Sequence, residues 1–276
     1  LVVALADDEG GSRLWLRRFD SEALVPISGT DGATSAFVSP DGQTIAFAAQ
    51  GRLRRVNLAG GRAQDIADAQ QFLGGCWVDN ETIVYAPRFA GGLWQVAATG
   101  GPPRQLTTPV GAEATAHIWP ACVPGGRVVL FSAWGGGKTV DRSDVGYVRL
   151  DDRSRGTLVR GGFHPRYLEP DTLLFVRGGA LMSVGFDPET LQISGTPVQR
   201  VSSVLTNINS QVAFYETSSG PDLVYVQGTY EQPDRRLVWV DRKGRVEPAS
   251  ALRRPFSLPR ISPDGRRVAT WLQDDE

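Results

Sequence analysis

The chain has 276 residues, a formal net charge of -1, 41% hydrophobic residues and 21% charged residues. That is a core-forming composition, which excludes disordered and collagen-like classes, and its near-zero charge gives no electrostatic reason to expect nucleic acid or an anionic membrane as partner. No apolar run approaches the ~20 residues of a membrane-spanning helix.

Predicted elements follow a repeat. Ser39-Pro40-Asp41-Gly42 carries residues preferred in a type I turn, and Thr44 to Ala48 then reads as a strand. Gly51 precedes a second strand, Leu53 to Leu58, and Gly60-Gly61 precedes a weaker one near Ile66. Arg62 to Leu73 lacks Gly and Pro, so a short helix is the alternative there. Taking the residue aligned with Phe47 as an anchor gives Leu5, Phe47, Tyr85, Phe131, Phe175, Tyr225 and Thr270, at spacings of 42, 38, 46, 44, 50 and 45. The later strand recurs at Leu14-Trp15-Leu16, Leu93 to Val96, Val145 to Val148, Leu181 to Val184 and Leu237 to Val240. The double-Gly turn returns at Gly100-Gly101, and the Ser-Pro-Asp-Gly turn returns intact at Ser262 to Gly265.

Four short strands in about 40–45 residues, repeated, read as blades of an all-β propeller. Each small sheet has two apolar faces and is stable only when stacked against neighbours. The expectation is a single propeller over residues 1–276 with four-stranded antiparallel blades, about six in number with seven as the alternative. Leu1 falls in the second strand of one blade and Glu276 just after the second strand of another, so partial blades and truncation are expected at both ends.

Ser-Pro-Asp-Gly, an apolar-Ala-Phe strand and a double-Gly turn resemble the propeller repeats of the TolB family. They do not resemble the WD-type repeat, because no Trp-Asp dipeptide occurs. The phrases Leu14 to Asp20, Ile27 to Gly32, Leu173 to Arg177, Phe186-Asp187-Pro188 and Leu237 to Arg242 resemble the sensor propeller C-terminal to bacterial transmembrane serine/threonine kinases. The resemblance implies an extracytoplasmic, periplasmic or extracellular, location and a role in sensing a small ligand or a protein partner. No kinase motif lies in this sequence, so no catalytic residue carries over. The alternatives are a free-standing TolB-like periplasmic scaffold and the gating propeller of a prolyl-oligopeptidase-like serine peptidase.

Candidate chemistry is sparse. His117 and His164 are the only histidines, and both fall on innermost strands, which line a propeller's central channel. With Trp77, Trp119 and Arg166 they form the candidate channel-mouth binding set; the alternative for the histidines is local hydrogen bonding, and for the Trp residues core packing. No carboxylates join the histidines in the repeat register, so no metal and no cofactor is expected. Gly135 to Thr139 ends like a phosphate-binding loop, but Ser132 stands where the first Gly is required. Asp7 to Gly11 and Asp151-Asp152 read as acidic turns. No nucleophile elbow occurs, so this protein is expected not to be an enzyme. Cys76 and Cys122 lie on innermost strands of neighbouring blades; since blades diverge, buried free thiols are the expectation over a disulfide.

Overall fold

The computed structural model describes residues 2–6, 12–17, 23–110, 115–135, 143–207, 210–217, 223–228, 235–240, 246–254, 256–261 and 268–272. The protein divides into two compact units, Leu1–Thr229 and Tyr230–Glu276. Every regular element among the described residues is a strand.

In the first unit, β1 (Val2–Ala6), β2 (Ser12–Arg17) and β3 (Leu24–Pro26) form a three-stranded sheet. Four four-stranded antiparallel sheets follow, each in simple sequence order. They are β4 (Ala33–Val38) to β7 (Gln64–Asp68), with β5 (Thr44–Ala49) and β6 (Arg52–Asn57) between. Next come β8 (Gly75–Trp77), β9 (Thr82–Tyr85), β10 (Trp94–Ala97) and β11 (Arg104–Gln105). The next sheet holds β12 (Ala116–Cys122), β13 (Val128–Trp134), β14 (Ser143–Arg149) and β15 (Arg155–Val159). The last holds β16 (Phe163–Leu168), β17 (Thr172–Arg177), β18 (Ala180–Asp187) and β19 (Gln192–Val201). Two short pairs end the unit, β20 (Thr206–Asn207) with β21 (Val212–Ala213) and β22 (Tyr215–Thr217) with β23 (Leu223–Tyr225).

The second strands show why these residues form stacked sheets. Their runs are continuously apolar because both faces are covered, and alternate residues serve different layers. Ile45 and Phe47 pack with Leu14 and Ile27 on one side, while Ala46 packs with Trp77, Ile83 and Tyr85 on the other. Val84 turns to the layer holding Ile118, Val129 and Phe131. Leu130 turns to the layer of Leu173, Phe175 and Phe186, and Leu174 to that of Phe163, Val204 and Tyr215. Each sheet thus supplies one face to each of two cores, which is the packing of propeller blades.

The Ser39 to Gly42 turn forms as the sequence predicts. Gly42 N–H donates to the Ser39 carbonyl at 2.9 Å, and Asp41 accepts from the Ser39 hydroxyl at 2.5 Å and from Gln43 N–H at 3.0 Å. Those donors, the hydroxyl first, hold the Asp41 carboxyl below its ordinary range. Residues 64–68 are a strand rather than a helix: β7 completes the edge of its sheet, where Ile66 buries into the layer with Trp77.

Between the two short pairs Phe214 N–H donates to the Leu205 carbonyl, and its own carbonyl accepts from Val226 N–H, each at 2.9 Å. One expectation is corrected. Cys76 and Cys122 are not free thiols but a disulfide, with a Cα–Cα distance of 5.6 Å. Blades diverge at their outer strands, whereas these cysteines stand on β8 and β12, first strands that lie side by side.

In the second unit, β24 (Arg235–Val240) pairs antiparallel with β25 (Val246–Arg254), and β26 (Phe256–Ile261) with β27 (Val268–Leu272). The Ser262 to Gly265 turn, the acidic turn at Asp7 to Gly11, and Gly136 to Thr139 lie outside the described residues.

Candidate functional site

Successive first strands are neighbours, β4 beside β8, β8 beside β12, β12 beside β16 and β16 beside β22. First strands line the axis of a propeller, so the site is built from what these strands carry.

A bulge in β12 and another in β16 shape the site. Pairing slips between Ile118 and Ala121, and again between Phe163 and Arg166. Within those slips Trp119 has φ 52° and His164 has φ 53°, left-handed values that cost a non-glycine residue roughly 1–2 kcal/mol. The turn directs each N–H at the adjacent sheet. Trp119 N–H donates to the Leu73 carbonyl at 2.8 Å, and His164 N–H donates to the Ser132 hydroxyl at 2.7 Å. Gly74 occupies the matching place before β8 with φ 95°, and the Trp119 ring lies so close over it that a Cβ there would meet Cε3 at 2.7 Å.

His164 is the hub. Its ring is flanked by Trp119 at 5.3 Å and Tyr215 at 5.5 Å between centroids. Tyr215 O–H donates to the His164 carbonyl, and Ala213 N–H reaches Nδ1 at 3.4 Å. An Nδ1 that accepts leaves the ring proton on Nε2. Burial, and next the charge of Arg166, hold the imidazole well below its ordinary pKa, so it is neutral. Trp119 Nε1–H donates to the Ser210 carbonyl at 2.7 Å, and the next residue, Gln211, bonds Ser143.

Arg166 lies two residues beyond the hub. Its Nε–H and Nη2–H fork onto the two carboxylate oxygens of Glu216 at 2.8 and 3.1 Å, and Nη1–H donates to the Pro165 carbonyl at 2.9 Å. The arginine side chain is 18% exposed and the glutamate side chain 64%.

Trp119, His164 and Arg166 are therefore brought together; Trp77 and His117 are not among them. Trp77 is buried in the layer between two sheets, beside Phe37, with Nε1–H donating to the Phe37 carbonyl at 3.2 Å. His117 is buried against Phe131, and Nδ1 is hydrogen-bonded with the Thr107 hydroxyl at 2.8 Å, an oxygen that also accepts from Leu93 N–H. Burial, and next Arg155, push the His117 pKa down to about 4. Both histidines thus take the local hydrogen-bonding role that the sequence leaves open.

Sequence reading misses Tyr215, Glu216, Ser210 and Gln211. For Glu216 a signal exists: the anchors Phe175 and Tyr225 are 50 residues apart, and so are Arg166 and Glu216. Among the described residues no three His, Cys, Asp or Glu side chains group as a metal site would require.

No family profile matches the sequence, and no curated protein matches it. Solved structures do. The putative TolB of Agrobacterium tumefaciens is similar with a TM-score of 0.54 at 18% identity, covering 86% of this protein and 79% of that one. The Cps50 (Swd1) β-propeller domain of Myceliophteria thermophila has a TM-score of 0.57 at 14% identity, covering 99% and 92%. An oligogalacturonate lyase in complex with manganese has a TM-score of 0.51 at 17% identity, covering 97% and 81%. The likeness is one of fold, an all-β propeller that includes TolB among its neighbours. No helix among the described residues is long and apolar enough to cross a membrane.

Proposed function

We infer that this protein is a non-catalytic propeller that binds a protein partner or a small ligand on the extracytoplasmic side of a bacterial membrane. Its finer reading is the sensor part of a receptor-type serine/threonine kinase. The observation that carries the location is the Cys76–Cys122 disulfide, which ties the first strands of adjacent sheets. Disulfides persist in oxidising compartments such as the periplasm and are rare in the cytosol. The kinase context rests on the repeat phrases from Leu14 to Asp20 and from Leu237 to Arg242. The non-catalytic reading has a physical support as well. A general base works best with a pKa near the operating pH, and His117 at about 4 and the buried, neutral His164 are both far from it.

The test is the complete reading frame. Kinase motifs and an apolar span of ~20 residues upstream are the expected result for the sensor. A frame carrying only a secretory signal overturns the kinase reading in favour of the free-standing scaffold. A hydrolase elbow downstream overturns it in favour of a peptidase gate. Full-length protein should also retain the disulfide when peptides are mapped without reductant, and thiols there overturn the extracytoplasmic placement.

A further inference from the structure

We propose that Arg166 on β16 is the anchor of a carboxylate-binding site, and that Glu216 on the neighbouring β22 is its built-in, displaceable competitor. This deepens the binding reading above and rests on it.

The two members of the pair are held unequally. Arg166 is fixed from behind, where Nη1–H meets the Pro165 carbonyl, and its side chain is 18% exposed. Its strand is fixed by the His164 bulge and by the contacts of that ring with Trp119 and Tyr215. Glu216 is 64% exposed, and besides Arg166 the carboxylate accepts only from the N–H of Thr217, at 3.2 Å, among the described residues. The arginine is thus the fixed partner and the glutamate the displaceable one.

A guanidinium has five N–H donors in a rigid fork that matches a carboxylate. Three of Arg166's are used, two on Glu216 and one on Pro165, so two meet no acceptor among the described residues. When Glu216 swings out, the same fork that it occupied is free, with a second carboxylate's geometry already in place. The ligand class is therefore a carboxylate: an acidic side chain, a peptide's terminal carboxylate or a small organic acid. A tethered glutamate competes at an effective concentration of about millimolar, which weakens the unmodified site and makes occupancy exchange-controlled.

The experiment is calorimetric titration of the folded protein with glutarate at low salt, with neutral glutaramide and inorganic phosphate as parallel probes. Glu216→Gln should bind glutarate about tenfold or more tighter than the unmodified protein. Arg166→Lys keeps the charge but loses the fork, and both it and the Arg166→Lys/Glu216→Gln double variant should lose that binding. Near-ultraviolet circular dichroism verifies that each variant is folded. No gain in Glu216→Gln overturns the assignment, and so does a gain that survives in the double variant. Equal binding of phosphate or of glutaramide overturns the carboxylate class. Any of these failures leaves the extracytoplasmic binding reading standing, since that depends on the disulfide and the reading frame.

Discussion

The indole N–H of Trp119 donates to the carbonyl of Ser210 at 2.7 Å, across 91 residues of sequence. Trp119 belongs to β12 and Ser210 to the turn before β21, and the His164 ring of β16 lies against Trp119. One side chain therefore ties together three successive parts of the first unit. Trp119→Phe should retain the ring contact and leave the Ser210 carbonyl without its donor, lowering stability by about 1 kcal/mol in urea unfolding.

Stability should depend on acid through the two buried histidines. Each is neutral in the fold, with a pKa depressed from the ordinary 6.5, His117 to about 4. The unfolded state binds the extra protons first, so stability rises with pH across this window and falls as pH drops from 6.5 towards 4. The slope approaches about 1.4 kcal/mol per pH unit for His117 within that range, and His164 adds to it in the same direction. Urea midpoints at a series of pH values measure it, and His117→Asn should flatten the slope.

Opening the disulfide should destabilise the protein strongly. It closes a loop of 46 residues, for which the loop-closure entropy treatment gives about 4 kcal/mol. The Cys76→Ser/Cys122→Ser double variant should lose a large part of that in denaturant unfolding. A stability matching the unmodified protein would count against the cross-link.

Gly74→Ala should be the most damaging glycine change near the site. Its φ of 95° disfavours any side chain, and a Cβ would also meet Trp119 at 2.7 Å on the ring and 2.9 Å on the backbone. The expected loss is about 2–4 kcal/mol with a shifted Trp fluorescence spectrum. Gly60→Ala is the comparison: its φ is 112° but no atom lies within 4 Å of the new Cβ, so it should lose only the backbone part.

The blade stacking is legible in the sequence because it is written as periodicity. Phe47, Tyr85, Phe131 and Phe175 are anchors in the sequence and buried members of second strands in the fold. A side chain covered on both faces tolerates little but apolar residues, so the signal is dense. Tyr225 shares the spacing yet is 42% exposed. The site is less legible. Register alone places His117, Trp119 and His164 on first strands, where the structure has them. Which of them meet depends on the bulges at Trp119 and His164, and no turn-forming Gly or Asn marks those. The disulfide escapes the sequence because the spreading of outer strands does not extend to strands at the axis.

The cross-link between β8 and β12 also bears on how the protein answers a pulling force. Drawn from its two ends, the polypeptide cannot extend through the segment from Cys76 to Cys122 while the bond is closed. That withholds roughly 150 Å of contour, the reach of 46 extended residues. Single-molecule extension with and without reductant would read this as a missing length. The pair of sheets flanking the bond is thereby a mechanical stop within an otherwise peelable stack.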